Sequence, residues 1–392
     1  KRHLTFLNNE TIWYQGYVIN RKTNKPYFTT NVFVLLFDES GKQLSEKLIY
    51  ASNGTFAGKI TLNSKLASGN YYIQVYTNWM NNFSENESTI SKISVINPIE
   101  GIKNYKKINT ESLELALNPE GNSLISGISN TIGIQVKDCN GNSPGNLEAS
   151  IQNSTDEILK IVKLNQFGFG KFDIIPANID IKVVVNYENK IKEKTLPKPD
   201  LIGMSIEVNS FSIENNVAIK IKTNQTSYEA FQSKKLSLVI HQDQKPIVYP
   251  ITFNSNNLEQ TFIVKNTDLQ IGINTIRIID NDLKQWVERI IYVSNPIKYE
   301  LNILKNRRNE DKISLIAYSK SPNSIMSVSV LPEGTKSIDG NNSIIAGITI
   351  NPYLNKSLTN ANYYLNDQNR LKLYELDLVL LNEEKSKYNW SV

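Results

Sequence analysis

Val32-Phe33-Val34-Leu35-Leu36-Phe37, followed at once by Asp38-Glu39-Ser40-Gly41, is the stretch that decides the fold. A continuous apolar run of this length is expected of a central β-strand, and the polar tetrapeptide turns the chain. Leu44 to Tyr50 returns, Asn53-Gly54 turns again, and Thr55 to Leu62 follows. Asn-Gly is a strong two-residue hairpin signal because both positions tolerate positive φ. Upstream, Trp13, Tyr17 and Ile19 share one parity of a further strand, with Gln15 among them. Downstream, Ser68-Gly69 leads into Tyr71 to Tyr76, and Thr89 to Ile96 closes the unit. Asn97-Pro98 ends the last strand, since proline cannot donate to a ladder.

The same punctuation recurs. Ile132, Ile134 and Val136 alternate with Gly133, Gln135 and Lys137 before a turn at Asn140-Gly141, and Leu196-Pro197-Lys198-Pro199 forms a short stiff linker. Leu236 to Ile240 and Thr275 to Ile279 are the strongest strands beyond it. Asp280-Asn281-Asp282 turns into Trp286 to Val293, and Asn295-Pro296 repeats the boundary signal. Short strands at intervals of about ten residues mark β-sandwiches. A chain of 392 residues is too long for one sandwich of roughly 100 residues. The expected class is all-β, a tandem of immunoglobulin-like β-sandwich domains over 1–98, 99–199 and 200–296. A partial β domain over 297–392 ends in one short helix. Its strands are expected at Lys312 to Tyr318 and Ile325 to Leu331. Its helix is expected from Arg370 to about Leu381, with Asn366-Asp367 as the cap. Leu371, Tyr374, Leu378 and Leu381 lie on one face of it, and Leu373, Leu376 and Leu380 on another. A helix apolar on most sides is usually buried.

Composition fits an ordered globular chain, with 40% hydrophobic and 21% charged residues. No stretch approaches the roughly 18 apolar residues that span a membrane as a helix. Without an initiator Met or an apolar signal core, the chain is expected to be mature or trimmed. The net charge of +5 comes from scattered charges, with no basic stripe interleaved with aromatics, so no nucleic-acid partner is expected. Cys139 is the one cysteine, which rules out a disulfide framework within the chain.

Ser68-Gly69-Asn70-Tyr71-Tyr72-Ile73-Gln74-Val75-Tyr76-Thr77-Asn78-Trp79-Met80-Asn81-Asn82-Phe83 resembles a hallmark of the macroglobulin-like envelope proteins of the Bacteroidota, a Ser-Gly-x-Tyr strand running into Tyr-Thr-Asn-Trp-Met. Glu10-Thr11-Ile12-Trp13-Tyr14 is similar to the family's Gly-Glu-Thr-Ile-Trp-Phe strand. Pro119-Glu120-Gly121-Asn122-Ser123-Leu124 is similar to the Phe-Pro-Glu-Gly-Gly start of its next domain, with Asn118 replacing the aromatic. Tyr363-Tyr364-Leu365, Leu376 to Leu381 and Tyr388-Asn389-Trp390 resemble the family's later region. The resemblance implies macroglobulin-like sandwiches, in proteins often followed by a TonB-receptor-plug-like domain. It also implies an outer-membrane-associated place in the cell envelope, with the periplasmic face favoured.

Chemistry is sparse. The macroglobulin thioester would read Cys-Gly-Glu-Gln, whereas Cys139-Asn140-Gly141-Asn142 lacks the acid and the Gln. A nucleophile needs a base held by a third group, and His3 and His241, the two histidines, sit in no motif. Asp138 to Asn142 and Glu120-Gly121-Asn122 read as turns. The acids at Asp38-Glu39 and Asp280-Asn281-Asp282 read as solvated hairpin tips. No catalytic residue, cofactor or metal is expected. Trp79, Met80 and Phe83, at a strand end, are the candidate interaction residues, together with Leu378 on the helix. The expected function is a non-enzymatic accessory subunit whose partners are outer-membrane barrel or transporter complex proteins. The alternatives are a glycan-binding module or a protease trap, with Ser337 to Asn360 as the loop-like bait.

Overall fold

The computed structural model describes residues 4–388 apart from 24, 104–109, 140, 177–179, 189, 244, 245, 295–300, 310, 311, 321–325, 330–342 and 384. Of the described residues 48% are strand and 13% helix, an all-β protein built of sandwiches. His3, Asn140, the Asn295-Pro296 boundary and Asn389-Trp390 lie outside the described residues.

In the first sandwich a five-stranded sheet runs in the order Thr5–Leu7, Thr89–Ile96, Gly69–Tyr76, Asn31–Asp38, Gln43–Tyr50. All its pairs are antiparallel except the first, Thr5–Leu7 with Thr89–Ile96, which is parallel. It faces the antiparallel pair Thr11–Tyr17 and Thr55–Thr61. Val32, Val34 and Leu36 enter the core with Ile12, Phe56, Ile60, Ile73 and Val95. Leu35 points the other way and is nevertheless buried, so the run is apolar without alternation because both faces are covered. Asn53 and Gly54 both take positive φ, as a two-residue turn of this kind requires. The parity of the Trp13 strand is the outward one: Trp13 is 74% exposed, and Ile12 and Val18 are buried.

The second sandwich packs Glu114–Pro119, Asn130–Lys137 and Phe169–Ile174 against a four-stranded sheet ordered Ile158–Lys163, Glu148–Gln152, Lys182–Tyr187, Lys190–Thr195. Its core gathers Ile132, Ile134, Val136, Ile151, Phe172 and Val183. The linker is pinned to it. Leu196 joins that core, and Asp200 exchanges backbone hydrogen bonds with Leu124 and Ser126. The third sandwich packs Met204–Asn209, Asn216–Thr223 and Glu259–Lys265 against Ile247–Ile251, Leu236–His241, Gly272–Ile279 and Gln285–Val293.

Every residue of Gly272–Ile279 is buried. Ile276 and Ile278 belong to the sandwich core, and Ile273, Ile290 and Tyr292 belong to a second core on the outer side. The C-terminal residues cover that outer side. Short helices Ile344–Thr349 and Ala361–Leu365, the 3-10 turn Asn351–Tyr353 and the helix Arg370–Leu381 supply Ala346, Tyr364, Tyr353, Leu376, Leu378 and Leu380. Two of these helices, and Gln225–Phe231 in the third sandwich, come in addition to the one helix expected. The helix Arg370–Leu381 is capped by Asn369, whose side chain accepts from the Lys372 amide, and not by Asn366-Asp367. All residues from Glu375 to Leu381 are buried, while Leu371 is 60% exposed. Leu301–Asn309 and Lys312–Ser319 pair antiparallel. Of the strand expected at Ile325 to Leu331, residues 326–329 join no ladder and the rest lies outside the described residues. The bait candidate Ser337 to Asn360 is not a free loop over its described part, because Ile344–Thr349 and Asn351–Tyr353 are helical turns packed into this core.

Candidate functional site

The strand Gly69–Tyr76 ends in a 3-10 turn, Asn78–Asn82, that folds back over the outer face of its own sheet. Local bonds set the turn. The Met80 amide donates to the Thr77 carbonyl at 3.0 Å, and the Thr77 amide to the Met80 thioether at 3.4 Å. Met80 and Phe83 thereby form one wall of a groove of about 460 Å³, with Leu35 and Tyr76 also lining it. The opposite rim is polar. Gln74 donates to Ser88 at 2.9 Å, and the Ser88 hydroxyl to Asn86 at 2.6 Å. Trp79 stands beside the groove, edge-on to Phe83 at 6.2 Å, and is 61% exposed. Among the described residues the lining contains hydroxyls, amides and the carboxylates of Glu85 and Glu87, and no His, Lys or Cys. It offers a mixed surface, with Leu35, Tyr76, Met80 and Phe83 set among more numerous hydrogen-bonding groups, that could serve for binding.

Of the interaction residues expected from sequence, the structure thus brings together Trp79, Met80 and Phe83. Leu378 is elsewhere and 2% exposed, in the C-terminal core against the third sandwich. It cannot meet a partner, because every residue of its helix from Glu375 to Leu381 is buried. Asp138 completes a turn, accepting from the Asn142 amide at 2.8 Å, and Cys139 beside it is exposed. Asp280 departs from the solvated reading. Its side chain is buried and accepts from Lys234, Trp286 and two backbone amides. Burial opposes its charge, yet these donors hold its pKa down at about 2.

Buried charges join the sandwiches. Arg289 in the third donates to Glu120 of the second at 2.9 Å and to Asp377 of the C-terminal helix at 2.6 Å, with all three side chains at most 2% exposed. Glu120 Oε1 also accepts from the Val208 amide, while Glu120 Oε2 and Asp377 Oδ2 accept no hydrogen bond among the described residues. Burial raises the Glu120 pKa, and Arg289 offsets only part of that. Beside Glu120, Gly121 has φ +85°, and a Cβ there would sit 2.7 Å from Ile206 and 2.8 Å from Val287.

A second hub centres on Arg277. It pairs with Glu288, donates Nε to His241 Nε2 at 3.0 Å, and donates to the Ser386 hydroxyl at 2.9 Å and the Tyr388 carbonyl at 3.0 Å. Tyr388 carries the connection to the first sandwich. Its hydroxyl donates to Glu87 at 2.6 Å and accepts from Arg21, which also pairs with Asp243 of the third sandwich at 2.9 Å. Tyr353 donates to the same Asp243 at 2.5 Å, and Lys387 pairs with Glu87 at 3.2 Å.

Sequence reasoning missed these hubs. The signal available was a charge inside an apolar run: Arg277 in Thr275 to Ile279, Arg289 before Ile290-Ile291, and Asp377 among the leucines. A charge so placed needs a partner.

No protein-family model and no curated protein sequence matches the chain. Among solved structures, Escherichia coli alpha-2-macroglobulin activated by porcine elastase is similar at 11% identity and TM-score 0.26, over 81% of this chain and 32% of that one. Salmonella alpha-2-macroglobulin reacted with methylamine matches at 10% identity and TM-score 0.21, over 82% and 24%. An Escherichia coli adhesin matches at 12% identity and TM-score 0.18, over 75% and 95%. The chain spans about a third or less of these bacterial macroglobulins.

Proposed function

We propose that this chain is a non-enzymatic accessory subunit. It docks onto an outer-membrane barrel or transporter complex of a bacterial cell envelope, on the periplasmic side, through the outer face of its first sandwich. The observation that carries this is the groove over Leu35, walled by Met80 and Phe83 and flanked by the exposed Trp79. Aromatic and Met side chains around a preformed concavity are enriched where proteins bind one another. The hubs at Arg21, Arg277 and Arg289 tie the sandwiches together, so the groove is presented on a stiff support. The envelope setting rests on the sequence resemblance around residues 68–83. A glycan ligand is the second reading, favoured by the amides of Gln74, Asn81 and Asn86 beside the aromatics.

A photoreactive phenylalanine at position 79 or 83, compared with one at Trp13, tests this in the native cell. Trp13 is 74% exposed on the opposite sheet of the same sandwich. The expected result is a discrete cross-linked envelope protein from 79 and 83 and none from 13. Equal labelling from all three, or from none, overturns the docking face. Binding to a glycan array that is lost in Trp79→Ala, without a protein cross-link, would move the assignment to the second reading.

A further inference from the structure

His241 closes the strand Leu236–His241, and the hydrogen bonds around it fix its protonation. Arg277 Nε can only donate, so His241 Nε2, 3.0 Å away, is the accepting nitrogen. The ring proton is then on Nδ1, which faces the Gln242 carbonyl at 3.2 Å. We propose that His241 is an acid-sensitive latch on the joint between the third sandwich, the C-terminal segment and the first sandwich. A proton on Nε2 replaces an acceptor with a second donor against Arg277. Two like-charged N–H groups cannot share that separation, so Arg277 or the imidazole must move.

Movement at Arg277 reaches the first sandwich in two steps. Arg277 holds Ser386 and the Tyr388 carbonyl, and the Tyr388 hydroxyl holds Glu87 and receives Arg21. The charged groups facing the imidazole come from each neighbouring element. Arg277 lies on the adjacent strand Gly272–Ile279, Glu288 on Gln285–Val293, and Asp243 in the loop after His241 itself. Arg21, Glu87 and Lys387 stand one contact further out. Burial lowers the His241 pKa, Arg277 lowers it further, and the Gln242 carbonyl, Glu288 and Asp243 offset part of this. For a base with a depressed folded pKa, stability is full above the ordinary value near 6.5. It is lost as pH falls from there through the lowered value. Across that window one linked proton raises the open fraction up to about tenfold per pH unit. Glu120 works in the opposite sense, since its raised pKa favours the protonated folded form in acid. This inference goes beyond the proposed function and needs no partner for its test.

The test uses the full chain carrying Cys139→Ser, with spin labels at the exposed positions Lys42→Cys in the first sandwich and Ser255→Cys in the third. The label-to-label distance is recorded from pH 8 to pH 5, alongside the NMR titration of the two histidine rings. A second, broader distance population is expected below about pH 6.5, with a midpoint that coincides with the His241 titration. In His241→Gln, which can accept from Arg277 but cannot take the proton, one distance should persist throughout. A wild-type distance unchanged to pH 5 overturns the latch. So does an opening whose midpoint differs from the His241 titration, a comparison that needs no substitution at His241.

Discussion

Replacing Arg289 by Met removes the cation from a site that holds two carboxylates out of water. Glu120 and Asp377 are at most 2% exposed, and each keeps one oxygen without a hydrogen bond among the described residues. Met fills most of the aliphatic volume, so the loss is electrostatic. Breaking a buried pair by removing one partner costs about 3–5 kcal/mol. The Glu120 carboxyl, which burial already raises and Arg289 holds back, can escape only by taking up a proton, so its folded pKa rises further. For a raised folded pKa, stability is present below the unfolded value and lost as pH rises through the folded one. The penalty in Arg289→Met is therefore greatest near neutrality and shrinks towards pH 4–5. Glu120→Gln is the contrasting change. Its retained oxygen still accepts from Arg289 and Val208, and Asp377 alone then balances Arg289, so the expected cost is within about 1 kcal/mol. Urea unfolding followed by the fluorescence of Trp286, which is held by Asp280 in the third sandwich, reads both variants. Trp13 and Trp79 are exposed and contribute little change. A cost below about 1 kcal/mol for Arg289→Met at pH 7, or a penalty that grows as pH falls, would refute the reasoning.

Leu378→Asp places an unpaired charge at a site 2% exposed and should cost several kcal/mol, read as a lowered unfolding midpoint; an unchanged midpoint contradicts the burial. Gly121→Ala meets a positive φ and sub-3 Å contacts with Ile206 and Val287, so a loss of more than about 1 kcal/mol is expected by the same unfolding assay. Asp280 has a folded pKa near 2 against the ordinary 3.8, so its contribution is present above 3.8 and lost as pH falls through 2. Asp280→Asn should flatten the acid limb of stability between those values in melting curves recorded from pH 5 to pH 2.

The strands were legible because their signals are local. Asn53-Gly54 needs only its own φ angles, and the leucines of residues 371–381 announce burial without saying against what. Parity at Trp13 was not legible, since Ile12 and Tyr14 offer an equally apolar alternative and only the pairing with Thr55–Thr61 decides. The helix cap expected at Asn366-Asp367 comes too early; the cap is Asn369, whose side chain accepts from the Lys372 amide. Trp79, Met80 and Phe83 stood out by composition. The groove beneath them depends on Leu35, 44 residues earlier by numbering, and on Ser88 across the loop. Glu120 looked like part of a turn and is one, but its carboxylate belongs to an ion pair with a residue 169 positions away. Such contacts are set by how the sandwiches dock, which no local pattern encodes.

Docking through the first sandwich is tested most directly by quantitative affinity purification of the tagged chain from detergent extracts. Wild type is compared with Trp79→Ala/Phe83→Ala, in low and high salt. Packed apolar contacts are only weakly screened, so wild type should bring down the same stoichiometric envelope partner at both salt levels. The double variant should fold with an unchanged melting temperature and lose that partner. Recovery of the wild-type chain alone, or of a partner that vanishes in moderate salt or persists in the double variant, would contradict the account.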